Sequence, residues 1–365
     1  MKTFILLILS SAACLAQTVR IPSIDFAPGK YVCYYTETPL LINGVLDEPA
    51  WSASEWTDNF TDIKGAAGSA PKFRTRAKML WDDAYFYLAA ELEETDIWGS
   101  LQTRDDTVYN DNAFEIFIDP DGDTHDYCEI EINSLNTIWD LLLLKPYRDK
   151  INAGISAWDI KEFKSAIHVY GTLNKPGDKD SCWIVESAIP WKIFNELTEA
   201  PAPPKNGDQW RVDFLRVEWK PDTADGKYKK ERNPLNNKIC SPNYWVWSPL
   251  GLVNMHYPEM WGYVQFSGHI AGRQKTEFVN KPEETAKWFL RRLYYAERIY
   301  FNENGSFTDD LLKLNIKEQE IPGFMWPPII EHTSASFEAS LKSDDNSIRV
   351  NIRNDGLFWV SNINQ

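Results

Sequence analysis

The sequence predicts a mainly β protein: an antiparallel β-sandwich followed by a small α+β domain. Three observations predict it. Short stretches of alternating apolar and polar residues recur between turns built from Gly, Pro, Asp and Asn, with little helix before residue 268. Near residue 268 this alternation gives way to a polar stretch and then to apolar residues at helical spacing. The chain, at 365 residues, is also too long for one small domain and suited to two. These signals divide it into a signal peptide (1–16), a lead-in (17–38), the sandwich (39–268), a linker (269–281) and the α+β domain (282–365).

Lys2, an apolar run over 4–9 and small residues over 10–13 read as a secretory signal peptide cleaved after Ala16, too short to make a stable membrane span. Ser11-Ala12-Ala13-Cys14 loosely resembles a lipobox, so a lipid anchor at Cys14 is the alternative to simple secretion. Both readings put the mature chain in the periplasm, in the medium or at the cell surface. An oxidising compartment permits three pairings of Cys33, Cys128, Cys182 and Cys240. Cys128 and Cys182 also fit buried thiols within strands.

Residues 18–38 read as irregular. Asn43-Gly44 marks a turn, and Asp47-Glu48-Pro49 starts a short helix that places Trp51. Residues 74–81 and 85–93 form two strands around an Asp82-Asp83 turn. Arg74, Arg76 and Lys78 share one face of the first, and acidic rows on neighbouring strands are natural cross-strand partners for them. In the strand 113–119, Phe114, Ile116 and Ile118 point one way while Ala113, Glu115 and Phe117 point the other. In 127–133, Cys128, Ile130 and Ile132 oppose Tyr127, Glu129, Glu131 and Asn133. The two strands thus share an apolar face and a face of carboxylates, amides and aromatics, which is either solvated surface or a platform for a polar ligand. Further strands are expected at 138–144, 162–173, 182–189, 210–219 and 261–267. Beyond the linker, Pro282 opens a helix carrying Ala286, Phe289, Leu290, Leu293, Ala296 and Tyr300 on one stripe. Thr308 is placed to cap a second helix over 309–314, and strands follow at 334–342, 347–352 and 357–360.

A formal net charge of −15 argues against binding a phosphate backbone, so no nucleic-acid partner is expected. No P-loop, strand-borne GxGxxG, HExxH or CxxC pair occurs. His168 and His269 lack partner spacing and read as structural. Asp119, Asp121 and Asp123 offer hard oxygen ligands at alternate positions, as calcium prefers, although the full EF-hand loop is absent; a solvated acidic turn is the alternative.

Five stretches in order, residues 42–51, 80–87, 111–119, 188–191 and 247–249, resemble the family 9 carbohydrate-binding modules in their divergent, family 9-like group. The resemblance implies a β-sandwich that binds sugar without cleaving it, often carries structural calcium and commonly accompanies polysaccharide-degrading enzymes. It also implies a sugar clamped between two aromatic rings. Carried over, the first stacking position falls at Tyr109 and a supporting carboxylate at Glu115. A basic position falls near Glu131, which departs from the pattern. The second stacking position falls near Met255, with His256, Tyr257 and Trp261 close by. Together with Asp111 and Asn112, these make the candidate carbohydrate-binding set Tyr109, Asp111, Asn112, Glu115, Glu131, His256, Tyr257 and Trp261. No catalytic residue is assigned. Residues 292–312 weakly resemble the small globular heads of pilin-like secretion proteins; a private C-terminal domain is the alternative. The leading expectation is a secreted, non-catalytic carbohydrate-binding protein. The alternatives are a glycoside hydrolase using two of the open-face carboxylates, and an envelope assembly protein that no longer binds sugar.

Overall fold

The computed structural model describes residues 19–149 and 152–363. The expected signal peptide, with Cys14, lies outside the described residues. Two-residue strands aside, the elements are β1 (Lys30–Tyr35), α1 (Pro49–Ala53), β2 (Thr75–Trp81), β3 (Tyr85–Glu93), β4 (Ala113–Asp119), β5 (Tyr127–Asn133), β6 (Ile138–Leu143), β7 (Lys164–Tyr170), β8 (Cys182–Pro190), β9 (Gln209–Glu218), β10 (Asn243–Val246), β11 (Gly262–Ile270), α2 (Pro282–Asn304), β12 (Ile329–His332), β13 (Phe337–Lys342), β14 (Ile348–Arg353) and β15 (Phe358–Asn362).

The main sheet runs β6-β5-β4-β9-β11-β1-β2-β3-β8-β7. Its two halves close on one apolar core. Phe114, Ile116 and Ile118 of β4 and Cys128, Ile130 and Ile132 of β5 meet Met79, Phe86, Leu88 and Val185 from the other half. That is the sandwich the alternation predicts, with the inward sets as read from the sequence. The strand over 30–35 was not expected. β1 lies where an irregular lead-in was read, and it runs parallel to both β11 and β2 in an otherwise antiparallel sheet. Its neighbours are distant in sequence, so no hairpin signal announces it.

The basic row finds acidic partners on β3. Arg74 and Arg76 both reach Glu91 at 2.9 Å, and Arg74 reaches Glu93 at 2.7 Å. Lys78 instead donates to the Trp51 carbonyl at 2.6 Å. Glu115 is therefore left out of this ladder.

α2 begins with Pro282, Glu283 and Glu284, suited to a helix N-terminus, and ends on Gly305 at φ 72°. Besides the expected stripe it buries Arg291, Tyr294, Tyr295 and Glu297, because it is covered on two sides. β12–β15 form a four-stranded antiparallel sheet against one side. The outer face of the sandwich covers the other. Leu141, Leu143, Leu215, Val217 and Trp261 share one core with Leu290, Leu293, Tyr295, Phe337 and Val350. The expected helix over 309–314 is absent. Thr308 does accept from Asp310 N at 3.2 Å, but the segment turns irregularly and ends at Asn315 with φ 56°. β12 is a fourth strand that sequence reading missed.

The linker is not a free tether. Gln265 donates to the Glu277 carbonyl and accepts from Val279 N, while Ser267 bonds to Thr276 and Lys30 to Asn280. The division at 269–281 is thus a change of secondary structure across a shared core, and it argues against two separately folding pieces. Among the described residues, Cys33, Cys128, Cys182 and Cys240 are all free thiols, and no helix is long and apolar enough to cross a membrane.

Candidate functional site

The outer face of β4, β5, β6 and β9 carries the site. Strand register sets Leu215, Glu115, Glu131 and Trp139 in one row across four strands. Phe117, Glu129 and Leu141 form the adjoining row. These side chains floor a cleft of about 370 Å³, within the size range of small-ligand sites, roughly 300–1,000 Å³. Aromatic residues rise around it. Tyr109, on the short turn before β4, is 44% exposed and its ring lies 5.9 Å from that of Trp139. Tyr147 is also exposed and meets His256 edge to face at 4.5 Å. Tyr244, Val253, Asn254 and Met255 complete the wall.

The floor is strongly acidic. Oxygens of Glu115, Glu129 and Glu131 all lie within 4.8 Å of one another. Glu131 accepts from Tyr109 N at 2.7 Å. Burial, followed by repulsion from Glu129, lifts the Glu115 carboxyl well above the usual range. Burial pushes Glu129 up to about 8, and burial with repulsion from Glu115 and Glu129 raises Glu131. His256 accepts from or donates to Tyr127 Oη at 2.8 Å, and burial beside Arg148 lowers its pKa to about 3, so the ring is neutral.

Of the eight sequence-derived positions, Tyr109, Glu115, Glu131 and His256 come together in this cleft. The other four do not. Asp111 is fully buried and accepts from Ser100 N, Leu101 N and Asn133, which holds the loop before it. Asn112 accepts from Trp219 N. Tyr257 is buried with its hydroxyl on the Arg20 carbonyl, and Trp261 is fully buried, donating to the Met255 carbonyl. Each serves the scaffold because its polar atoms bond to backbone groups and, at Asp111, also to the Ser100 and Asn133 side chains. The carboxylate face is also not the open surface expected of it: Glu115, Glu129 and Glu131 are buried in the cleft, which Tyr109, Tyr147, Tyr244 and the turn over 253–256 wall in. Glu129, Trp139, Tyr147 and Tyr244 were missed. Glu129 shares the alternation of Glu131, and Trp139 sits opposite it once the strands pair, so register was the signal available.

The acidic loop lies at the far end of β4. Asp119 accepts from Gly122 N and Thr124 N, both at 2.9 Å, and Asp123 accepts from His125 N at 2.7 Å. Oxygens of Asp119, Asp121 and Asp123 lie within 4.8 Å of one another. Burial and the neighbouring aspartates raise Asp119, and they push Asp123 up to about 7.

The sequence pattern of the carbohydrate family 9 binding domain-like proteins matches residues 42–245. The chain belongs to this family. It is 27% identical over 160 residues to the exoglucanase XynX of Acetivibrio thermocellus, a match covering 44% of this chain and 12% of that protein. The chain thus spans a small part of that relative. Two solved structures of a family 9 carbohydrate-binding module from Caldicellulosiruptor kristjanssonii, in complex with cellotriose and with glucose, are similar at 17% and 16% identity. They cover 69% and 68% of this chain and all of their own, with TM-scores of 0.43 and 0.41. The family 9 match ends within β10, so β11, α2 and the C-terminal sheet lie beyond it.

Proposed function

We propose that this family 9 protein binds carbohydrate without cleaving it, outside the cytoplasm, in the capture or degradation of glycans. The observation that carries this reading is the cleft itself. Ring faces at Tyr109 and Trp139 suit the apolar face of a pyranose, and the carboxylates beneath suit its hydroxyls. The signal-peptide reading of residues 1–16 supports export.

The carboxylates also bear on the enzyme alternative. Two glycosidase carboxyls must flank the scissile bond, with the acid at the leaving oxygen and its partner across the sugar. Glu115 and Glu131 are direct cross-strand partners on one face, so they approach a ligand from the same side. That favours holding a sugar over cutting one. The expected result is retention on a glycan array with no soluble reducing sugar released. Tyr109→Ala should weaken retention by about 1–3 kcal/mol, on the scale of aromatic stacking against a planar ligand, and it should leave folding intact because the ring is exposed. Release of reducing sugar would move the assignment to a hydrolase. Retention of no glycan, with a co-purifying partner, would favour the assembly reading.

The acidic loop supports structural calcium. Three clustered carboxylates fit a hard cation, and an ion would offset the repulsion that raises Asp119 and Asp123. Added calcium should raise the melting temperature, by the equivalent of about 2.7 kcal/mol at a hundredfold excess over Kd, and EDTA should reverse it. A melting temperature indifferent to both would leave only the solvated-turn reading.

A further inference from the structure

We propose that the cleft selects a sugar bearing a free, protonated amine, a 2-amino-2-deoxy hexose unit, over neutral and N-acetylated sugars. This rests on the sugar-binding reading above and deepens it. Glu115 and Glu131 stand directly opposite each other on neighbouring strands, and Glu129 joins them within 4.8 Å. Ionised together, carboxylates so placed repel, and burial with that repulsion raises Glu115 and Glu131 well above the usual carboxylate range. Nothing described in the lining compensates, since no Lys or Arg is among the described residues that bound the cleft. Arg148, close enough to act on His256, is bidentate on Glu259 at 2.5 and 2.9 Å.

The pointer to a ligand is Glu115. It is 3% exposed, lines the cleft, and accepts no hydrogen bond from any described residue. Buried acceptors are almost always partnered. Three other buried carboxylates of this chain follow that rule: Glu186 meets three N–H donors, Asp119 two, and Glu259 an arginine and a tyrosine. Glu115 and Glu129 are the contrast: both are buried carboxylates that line a cavity of ligand size, and neither accepts a hydrogen bond from a described N–H or hydroxyl group.

The missing partner is therefore a cation that donates hydrogen bonds, and the walls say what body carries it. Tyr109, Trp139 and Tyr147 offer ring surface to a flat apolar face, and such rings also attract a positive charge. A bare metal ion would leave them without a role. A neutral sugar would use the rings and donate hydroxyls, but it would not offset the repulsion that, with burial, raises Glu115 and Glu131 and holds the cluster toward its protonated form. An ammonium on a pyranose uses both, through charge-assisted hydrogen bonds to the floor. N-acetylation removes that charge.

The test is calorimetric titration of the full chain at neutral pH, without added metal, against the β-1,4-linked trimers of glucosamine, N-acetylglucosamine and glucose. The glucosamine trimer should bind about tenfold or more tightly than either other, a difference of about 1.4 kcal/mol, and should weaken as salt rises. Glu115→Gln should remove most of that preference with the circular dichroism unchanged. Glu129→Gln should do the same should the first variant fail to fold. Equal binding of all three trimers, insensitive to Glu115→Gln, would overturn the amine preference and leave the sugar-binding reading standing. Binding of none would overturn both. Binding that appears only with calcium and vanishes with EDTA would give the three glutamates to a metal and overturn the proposal.

Discussion

Glu259→Ala is expected to cost about 3–5 kcal/mol of folding stability, the scale for breaking a buried ion pair and leaving its partner uncompensated. Glu259 is the point at which the sandwich and α2 are joined. It takes both arms of Arg148 at 2.5 and 2.9 Å, the Tyr295 hydroxyl at 2.6 Å, and lies 3.7 Å from Arg291. Arg148 and Arg291 are both buried, so truncation strands two guanidinium charges. Burial alone would raise the Glu259 carboxyl, but Arg148 and Arg291 hold it well below the usual range. A depressed carboxylate contributes stability above its unfolded pKa and loses it as pH falls. The gap between variant and wild type should therefore be full at pH 7 and shrink below about pH 4.3, the ordinary glutamate value. Urea denaturation at both pH values measures it. A midpoint within experimental error of wild type at pH 7 would contradict the joint. Because the core is shared, wild type should unfold in one transition; two separated transitions would restore the picture of two independent domains.

Much of the fold was legible because its strands alternate. β3, β4 and β5 lie where a period of two puts them, since their inward rows are uniformly apolar. What escaped notice has a common cause. β1 has the right residues, but its partners β2 and β11 both lie further along the chain, with Tyr34 opposite Leu80 and Tyr31 opposite Val264. No local pattern carries that information. Likewise α2 shows one apolar stripe, while its second buried face is made of Arg291, Tyr294, Tyr295 and Glu297. Charged and phenolic groups read as solvent-facing until their partners are known.

The site was half legible for a related reason. Glu115 and Glu131 could be picked out as outward carboxylates, and Tyr109 and His256 as aromatic candidates. Whether an outward face meets water or a covering loop is a tertiary fact. Here the cover turned an expected solvated row into a buried floor, and it drew Tyr257 and Trp261 into the core. Trp139 needed the register of the β5–β6 hairpin before it could be set beside Glu131.

The stretch over 42–51 reads locally as a turn and a helix start, yet its cause lies on β8, and replacing that residue should be costly. Glu186 is fully buried. One oxygen accepts from Asn43 N at 2.9 Å and Gly44 N at 2.8 Å, and the other from Trp51 Nε1 at 2.9 Å. The turn must pass close to β7: Gly44 has φ 80°, and a Cβ there would fall 2.8 Å from His168 N. That leaves glycine as the residue that fits. Glu186→Ala leaves three donors without an acceptor, at about 1–3 kcal/mol each. The expected loss is about 3–5 kcal/mol, toward the lower end of the sum because Asn43 lies near solvent. Glu186→Gln should lose less, since its carbonyl still serves one side while its amide meets donors on the other. Trp51→Phe should lose least, because it removes one hydrogen bond and keeps most of the ring packed against Leu40, Tyr87 and Ala188. The order Ala, then Gln, then Trp51→Phe is the readout in chemical denaturation. If Trp51→Phe proves as costly as Glu186→Ala, ring packing rather than the carboxylate holds this edge of the sandwich.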